Sequence, residues 1–78
     1  MRVNTFEETL RSTPFRPFTI HADGRIVLVD HPELVLITPD RSTAIVALRD
    51  GGVFIVDMDH ISSLSIRRRN GTIAKKVV

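Results

Sequence analysis

The sequence predicts a mainly β (α+β) domain: a short N-terminal helix followed by a five- to six-stranded antiparallel small barrel of the SH3-like or Sm-like kind. Three observations lead there. One segment near the N-terminus has helical periodicity, turn signals recur at short intervals from Phe15 onward, and several strands between those turns are apolar without interruption. Closing such a sheet on itself removes most of the exposed edges that short strands would otherwise leave open.

The helix comes first. Asn4 and Thr5 precede Glu7 and Glu8 at capping-box spacing, so a side-chain oxygen can accept from an orphan amide while a glutamate three positions on reaches back. Val3, Phe6 and Leu10 then fall on one face at i, i+3 and i+7, and Pro14 disfavours helical geometry at Thr13. A helix of two to three turns is too short to be stable alone and is expected to lie against a sheet.

The strands follow from their punctuation. Asp23-Gly24 supports positive φ at both centres of a type I′ turn, which predicts a hairpin of Phe18 to Ala22 with Arg25 to Val29. Asp30-His31-Pro32 breaks the chain, Glu33 to Thr38 reads as a strand, Pro39-Asp40 turns, and Thr43 to Leu48 returns. Arg49-Asp50-Gly51-Gly52 turns into Val53 to Asp57, and Met58-Asp59-His60 bends before Ser62 to Arg67. In Pro14-Phe15-Arg16-Pro17-Phe18, two phenylalanines are expected to plug the barrel end while Pro17 blocks edge pairing; a functional reading has Arg16 stacked on an aromatic ring at a nucleobase or phosphate.

Size and composition limit what such a domain can do. The 78 residues make one domain, residues 1–66, with residues 67–78 as a basic C-terminal tail or an additional hairpin strand. A chain of this length buries roughly 60% of its unfolded surface, and without cysteine it has neither disulfides nor thiolate metal sites to support it. The N-terminal segment reads as neither a signal peptide nor a membrane span, which predicts a cytoplasmic protein with no membrane partner. The net charge of +2 hides an asymmetry: residues 1–66 carry six Arg against nine Asp and Glu, whereas residues 67–78 carry five basic groups and no acid. The basic character belongs to the tail.

A half-buried strand alternates apolar with polar residues, because successive side chains point to opposite faces. Ile26 to Val29, Leu34 to Ile37, Ala44 to Leu48 and Val53 to Val56 do not alternate. One short helix cannot cover all of that outer surface, and a large exposed apolar patch marks an interaction site. A homo-oligomer is expected, or a protein partner, with Val27, Val29, Val35, Ile37, Val53 and Ile55 as candidate interface residues. The competing reading buries some of these at barrel corners or under the tail.

Groups with chemical potential are few. His21, His31 and His60 lack the spacing of a zinc site. Ser62 or Ser63 beside His60 would make a nucleophile–base pair, but neither serine has a glycine-flanked elbow or an evident oxyanion hole. Gly51-Gly52 lacks the Lys-Ser or Lys-Thr of a phosphate loop. No enzyme activity, cofactor or metal is expected. The tail offers an alternative: Arg67, Arg68, Arg69, Lys75 and Lys76, with His60 and Arg16, are candidate nucleic-acid contacts whose binding would weaken with salt. Asn70-Gly71 could instead turn residues 72–78 back as a strand.

Pro14-Phe15-Arg16-Pro17-Phe18, Asp23-Gly24 and His31-Pro32-Glu33 together resemble a family of short bacterial proteins with no assigned activity. That resemblance spans the first half of the chain and implies a bacterial origin and a compact fold. Thr19 to Arg25 is also similar to the first strand and turn of the Sm-like family. Met58 to Ser62 is similar to the lysine–histidine segment before that family's last strand. This second resemblance implies a helix followed by a five-stranded barrel, assembly into rings, and RNA contact at His60. Asp59 stands where that family has lysine, and the glycine of its second strand is missing.

Overall fold

The computed structural model describes residues 1–67 and 73–77, with the side chains of residues 1–66. The fold is mostly β, with one helix at the N-terminus, as the sequence predicts. Helix α1 (Val3–Leu10) is followed by β1 (Phe18–Ala22), β2 (Arg25–Val29), β3 (Val35–Ile37), β4 (Thr43–Ala47), β5 (Val53–Asp57), β6 (Ile61–Arg67) and β7 (Ile73–Val77). Short 3₁₀ turns at Pro32–Leu34 and Met58–His60 precede β3 and β6.

Among the described residues the strands form two antiparallel sheets, ordered β2-β1-β6-β7 and β3-β4-β5, rather than one closed barrel. The break falls where Pro32 opens the first 3₁₀ turn. Proline has no N–H to donate and its ring fixes φ, so the ladder of β2 stops before β3 begins. The expected strand Glu33 to Thr38 is thereby shortened to Val35–Ile37.

The Asp23-Gly24 hairpin forms in the expected register, with Ala22 opposite Arg25 and Phe18 opposite Val29. Asp23 and Gly24 take φ of 51° and 75°, the positive values that a type I′ turn needs. The other side of β1 pairs with β6, and the register shifts between His21 and Ala22. A bulge of this kind re-aims the side chains beside it.

Helix α1 buries Phe6, Thr9 and Leu10, with Val3 packed at the margin of the core. Phe6 meets Phe18 edge to face at 6.0 Å, and Phe15 meets Phe18 at the same separation, so both phenylalanines of the proline-flanked segment seal the core. The capping box does not form: Arg2 is the N-cap and makes no side-chain capping bond. Asn4 and Glu7 are engaged elsewhere. Both accept from the guanidinium of Arg41, which ties the helix to the β3–β4 turn. The Met1 ammonium donates to the carbonyls of Met58 (2.8 Å) and Ile61 (3.2 Å), fastening the first residue across the second 3₁₀ turn.

Candidate interaction surface

Each strand of the β3-β4-β5 sheet buries one set of side chains and presents the other. Ala44, Val46, Phe54 and Val56 face the core. On the opposite face the register aligns Leu36, Ile45 and Ile55 in one cross-strand row and Ala47 with Val53 in the next. Leu36 is 61% exposed, Ile55 65% and Val53 58%. A third row is polar, with the Thr43 hydroxyl donating to Asp57 at 3.1 Å, and closes the apolar surface at one end.

β2 adds to that surface. Its outward residues are Ile26 (68% exposed) and Leu28 (47%). Both line a shallow recess with Leu34 and Ala47, bounded by Arg25, Asp30, Arg49 and Asp50. An ion pair between Arg49 and Asp30 joins the end of β4 to the end of β2 across this recess. The resulting surface runs from β2 over the end of β4 to β5 and has charges at its rim.

Six residues were expected to line an interface, and the structure divides them. Val53 and Ile55 lie on the exposed face, whereas Val35 and Ile37 are half-buried against the core. Val27 and Val29 are core residues, 6% and 0% exposed, which corrects their assignment to the outer face. Ile26, Leu28 and Leu36 take that role. A signal for the β2 parity was present: the hairpin register sets Leu28 opposite Thr19 and Ile26 opposite His21, and paired residues share a face. Two polar residues on β1 therefore mark the outward side of its apolar neighbour.

The outer face of β1 and β6 is polar. His21 Nε2 lies 2.8 Å from Ser65 Oγ and 3.3 Å from Thr19 Oγ1, and Ser62 Oγ donates to the His21 carbonyl at 3.0 Å. Ser63 is 2% exposed and its hydroxyl has no partner among the described residues. The sequence reading missed this cluster, because the β1–β6 pairing and its bulge are long-range features. A histidine–serine contact is the first element of a nucleophilic site, which also requires an orienting group for the base and an oxyanion hole. Here the pair lies on an open strand face, and no described hydrogen bond engages His21 Nδ1.

His60 does not meet Ser62 or Ser63 as a base. Its Nδ1 lies 3.2 Å from Asp23 Oδ2, linking the second 3₁₀ turn to the first hairpin. Arg16 is exposed at the entry to β1, and among the described residues it is Arg25 that makes a cation–π contact, 4.9 Å from the centre of the Phe54 ring. Of the expected nucleic-acid contacts, Arg67 ends β6 opposite Ile73, while Lys75 and Lys76 occupy β7 opposite Ser65 and Leu64. Arg68 and Arg69 lie outside the described residues. Arg16 precedes the β1 end that pairs with Ile66, whereas His60 adjoins Ile61 at the far end of β6. At roughly 3.3 Å per residue the strand separates these two positions by about 20 Å.

Among the described residues no group of three or more His, Cys, Asp or Glu is arranged to hold a metal ion. Nor, among these residues, is any helix long and apolar enough to cross a membrane. Comparison with family models, curated proteins and solved structures finds no match to the chain.

Proposed function

We propose that this protein is a non-enzymatic assembly module, and that copies of it associate through the apolar outer face of β3-β4-β5 and β2. The observation that carries this reading is the set of five large apolar side chains, Ile26, Leu28, Leu36, Val53 and Ile55, each about half to two-thirds exposed. They present roughly 500–600 Å² of apolar surface, the upper end of what a monomer shows. With Ile45, Ala47 and Leu34 alongside, this would form the central part of a standard interface of roughly 800 Å² per partner. The charged rim around an apolar centre also fits the usual layout of such an interface.

The small-barrel reading belongs to the same proposal. β2 leads through a 3₁₀ turn into β3, and β6 returns to β1 after a second 3₁₀ turn. That order suits a split SH3-like or Sm-like barrel in which β2 and β3 are two halves of one bent strand. A small barrel fills its inside with core side chains and leaves the outer faces of its strands available for contact between subunits.

Leu36→Asp tests the association. The side chain is exposed and away from the core, so the folded subunit should retain its circular dichroism, while a charge within the apolar interface should lower the mass measured by light scattering. An associated wild type and a dissociated, folded variant are the expected pair of results. An unchanged mass in the variant would remove this face from the interface.

A further inference from the structure

The hydrogen-bond parity of the β4–β5 hairpin fixes what its free edge offers. Leu48 N–H donates to the Gly52 carbonyl at 2.8 Å, and Met58 N–H donates to the Ser42 carbonyl at 2.8 Å. These bonds bracket a ladder in which Ala44 faces Val56 and Val46 faces Phe54. Because bonded pairs alternate along an antiparallel ladder, Phe54 and Val56 bond to β4, and Val53, Ile55 and Asp57 turn their N–H and C=O groups away from it. Among the described residues no strand lies on that side.

Edge strands in stable monomers are usually blocked by proline, lysine, a bulge or short length. The β3 edge has such a block, being three residues long and flanked by Pro32 and Pro39. β5 is five residues long, with no proline, no lysine and no break in its pairing with β4. Its one charge, Asp57, lies at the end.

We propose that β5 pairs antiparallel with β5 of a second copy, about a two-fold axis passing beside Ile55. In this register Ile55 meets Ile55 of the second copy, and Val53 meets Asp57 on each side. All the outward N–H and C=O groups of Val53, Ile55 and Asp57 gain partners, and the whole length of the strand is used. A shift toward Asp57 brings two carboxylates together, and a shift toward Val53 runs the strand into the turn where Gly51 has φ of 93°. The outer row Leu36, Ile45, Ile55 continues into Ile55, Ile45, Leu36 of the second copy, giving one apolar ladder across a six-stranded sheet. On the inner side Phe54 meets Val56, both already core residues.

This inference rests on the self-association proposed above and specifies its two-fold contact. A five-residue edge pair alone falls short of roughly 800 Å² per partner. Edge pairing lays the two apolar faces side by side as one doubled face, which a second such pair covers to supply the remaining area, and because the contact is isologous the assembly contains an even number of copies.

Two variants at Ile55 and one at Leu36 test it. Ile55 N–H is not used within the subunit, so Ile55→Pro should leave β4–β5 intact, as proline is tolerated where a strand's N–H faces outward. Its expected effect is a twofold fall in assembly mass with unchanged circular dichroism. The chain has no native cysteine, so single cysteines report proximity without background. Directly opposed bonded residues have Cα atoms about 5.5 Å apart, within the roughly 4.4–6.8 Å that a disulfide spans. Under mild oxidation Ile55→Cys should become a covalent dimer much faster than Leu36→Cys, which sits at the opposite edge of the sheet. Equal or faster cross-linking of Leu36→Cys would overturn the edge pairing and leave association through the face. If neither variant cross-links and wild type is monomeric, both proposals fall. If Ile55→Pro does not fold, the cysteine comparison decides alone.

Discussion

At the scale of single residues, the β3–β4 turn has the most sharply defined chemistry. Asp40 Oδ1 accepts from the Thr38 hydroxyl at 2.6 Å, the Ser42 hydroxyl at 2.9 Å and the Ser42 backbone N–H at 3.1 Å. These donors, the Thr38 hydroxyl foremost, hold the carboxyl below its ordinary value of 3.8. A carboxyl lowered by folding contributes stability above its unfolded pKa and loses it as pH falls through the lower folded value. A carbon-detected NMR titration should therefore place the Asp40 midpoint below 3.8. It should move up in a Thr38→Val variant, and an ordinary midpoint in wild type would mean that the turn is not closed by these bonds. Pro39-Asp40 was legible as a turn from the sequence, because both residue types favour turns for known reasons. The positive φ of Arg41 (61°) was not legible. It serves a contact with Asn4 and Glu7, more than thirty positions away in the chain, so local propensity carries no trace of it. Val27 and Val29 show the same limit from another side: in an unbroken apolar run, parity has to be read from the partner strand.

At the scale of elements, helix and hairpin boundaries followed local rules, and their attachments did not. The stripe Val3, Phe6, Leu10 does face the core, because a short amphipathic helix gains most of its stability from packing. Its expected capping box is replaced by Arg41, since a long-range guanidinium competes for the same side chains. Phe6 is the anchor, fully buried and edge to face with Phe18. Phe6→Ala should destabilise the fold by about 3–5 kcal/mol, the usual cost of removing a buried aromatic ring. Urea unfolding followed by circular dichroism checks this, and a loss well under about 1 kcal/mol would show that the helix is docked by other contacts. The proline-flanked Phe15 and Phe18 pack on one another and on the core, without a closed barrel whose end they would plug. The strand from Glu33 was foreshortened because Pro32 starts a 3₁₀ turn there, and that same turn divides the two sheets.

At the scale of the whole molecule, the proposed function rests on the apolar runs. Four strands lack polar alternation, and the structure distributes their surplus as Ile26, Leu28, Leu36, Val53 and Ile55 on the outside. That a surplus existed was legible from composition and period alone. Its location was only partly legible, because it depends on how two sheets share one core. Beside Ile26 and Leu28 the same outer face turns polar at β1 and β6, where His21, Thr19 and Ser65 are bonded together, so the apolar surface is bounded there. A single copy leaves the apolar face uncovered, and in the proposed assembly further copies cover it. Light scattering of the unaltered chain over a concentration series, from micromolar upward, tests this most directly. An even multiple of the 8.8 kDa subunit mass that persists on dilution and falls in Leu36→Asp is the predicted result. A single subunit mass at every concentration would contradict it.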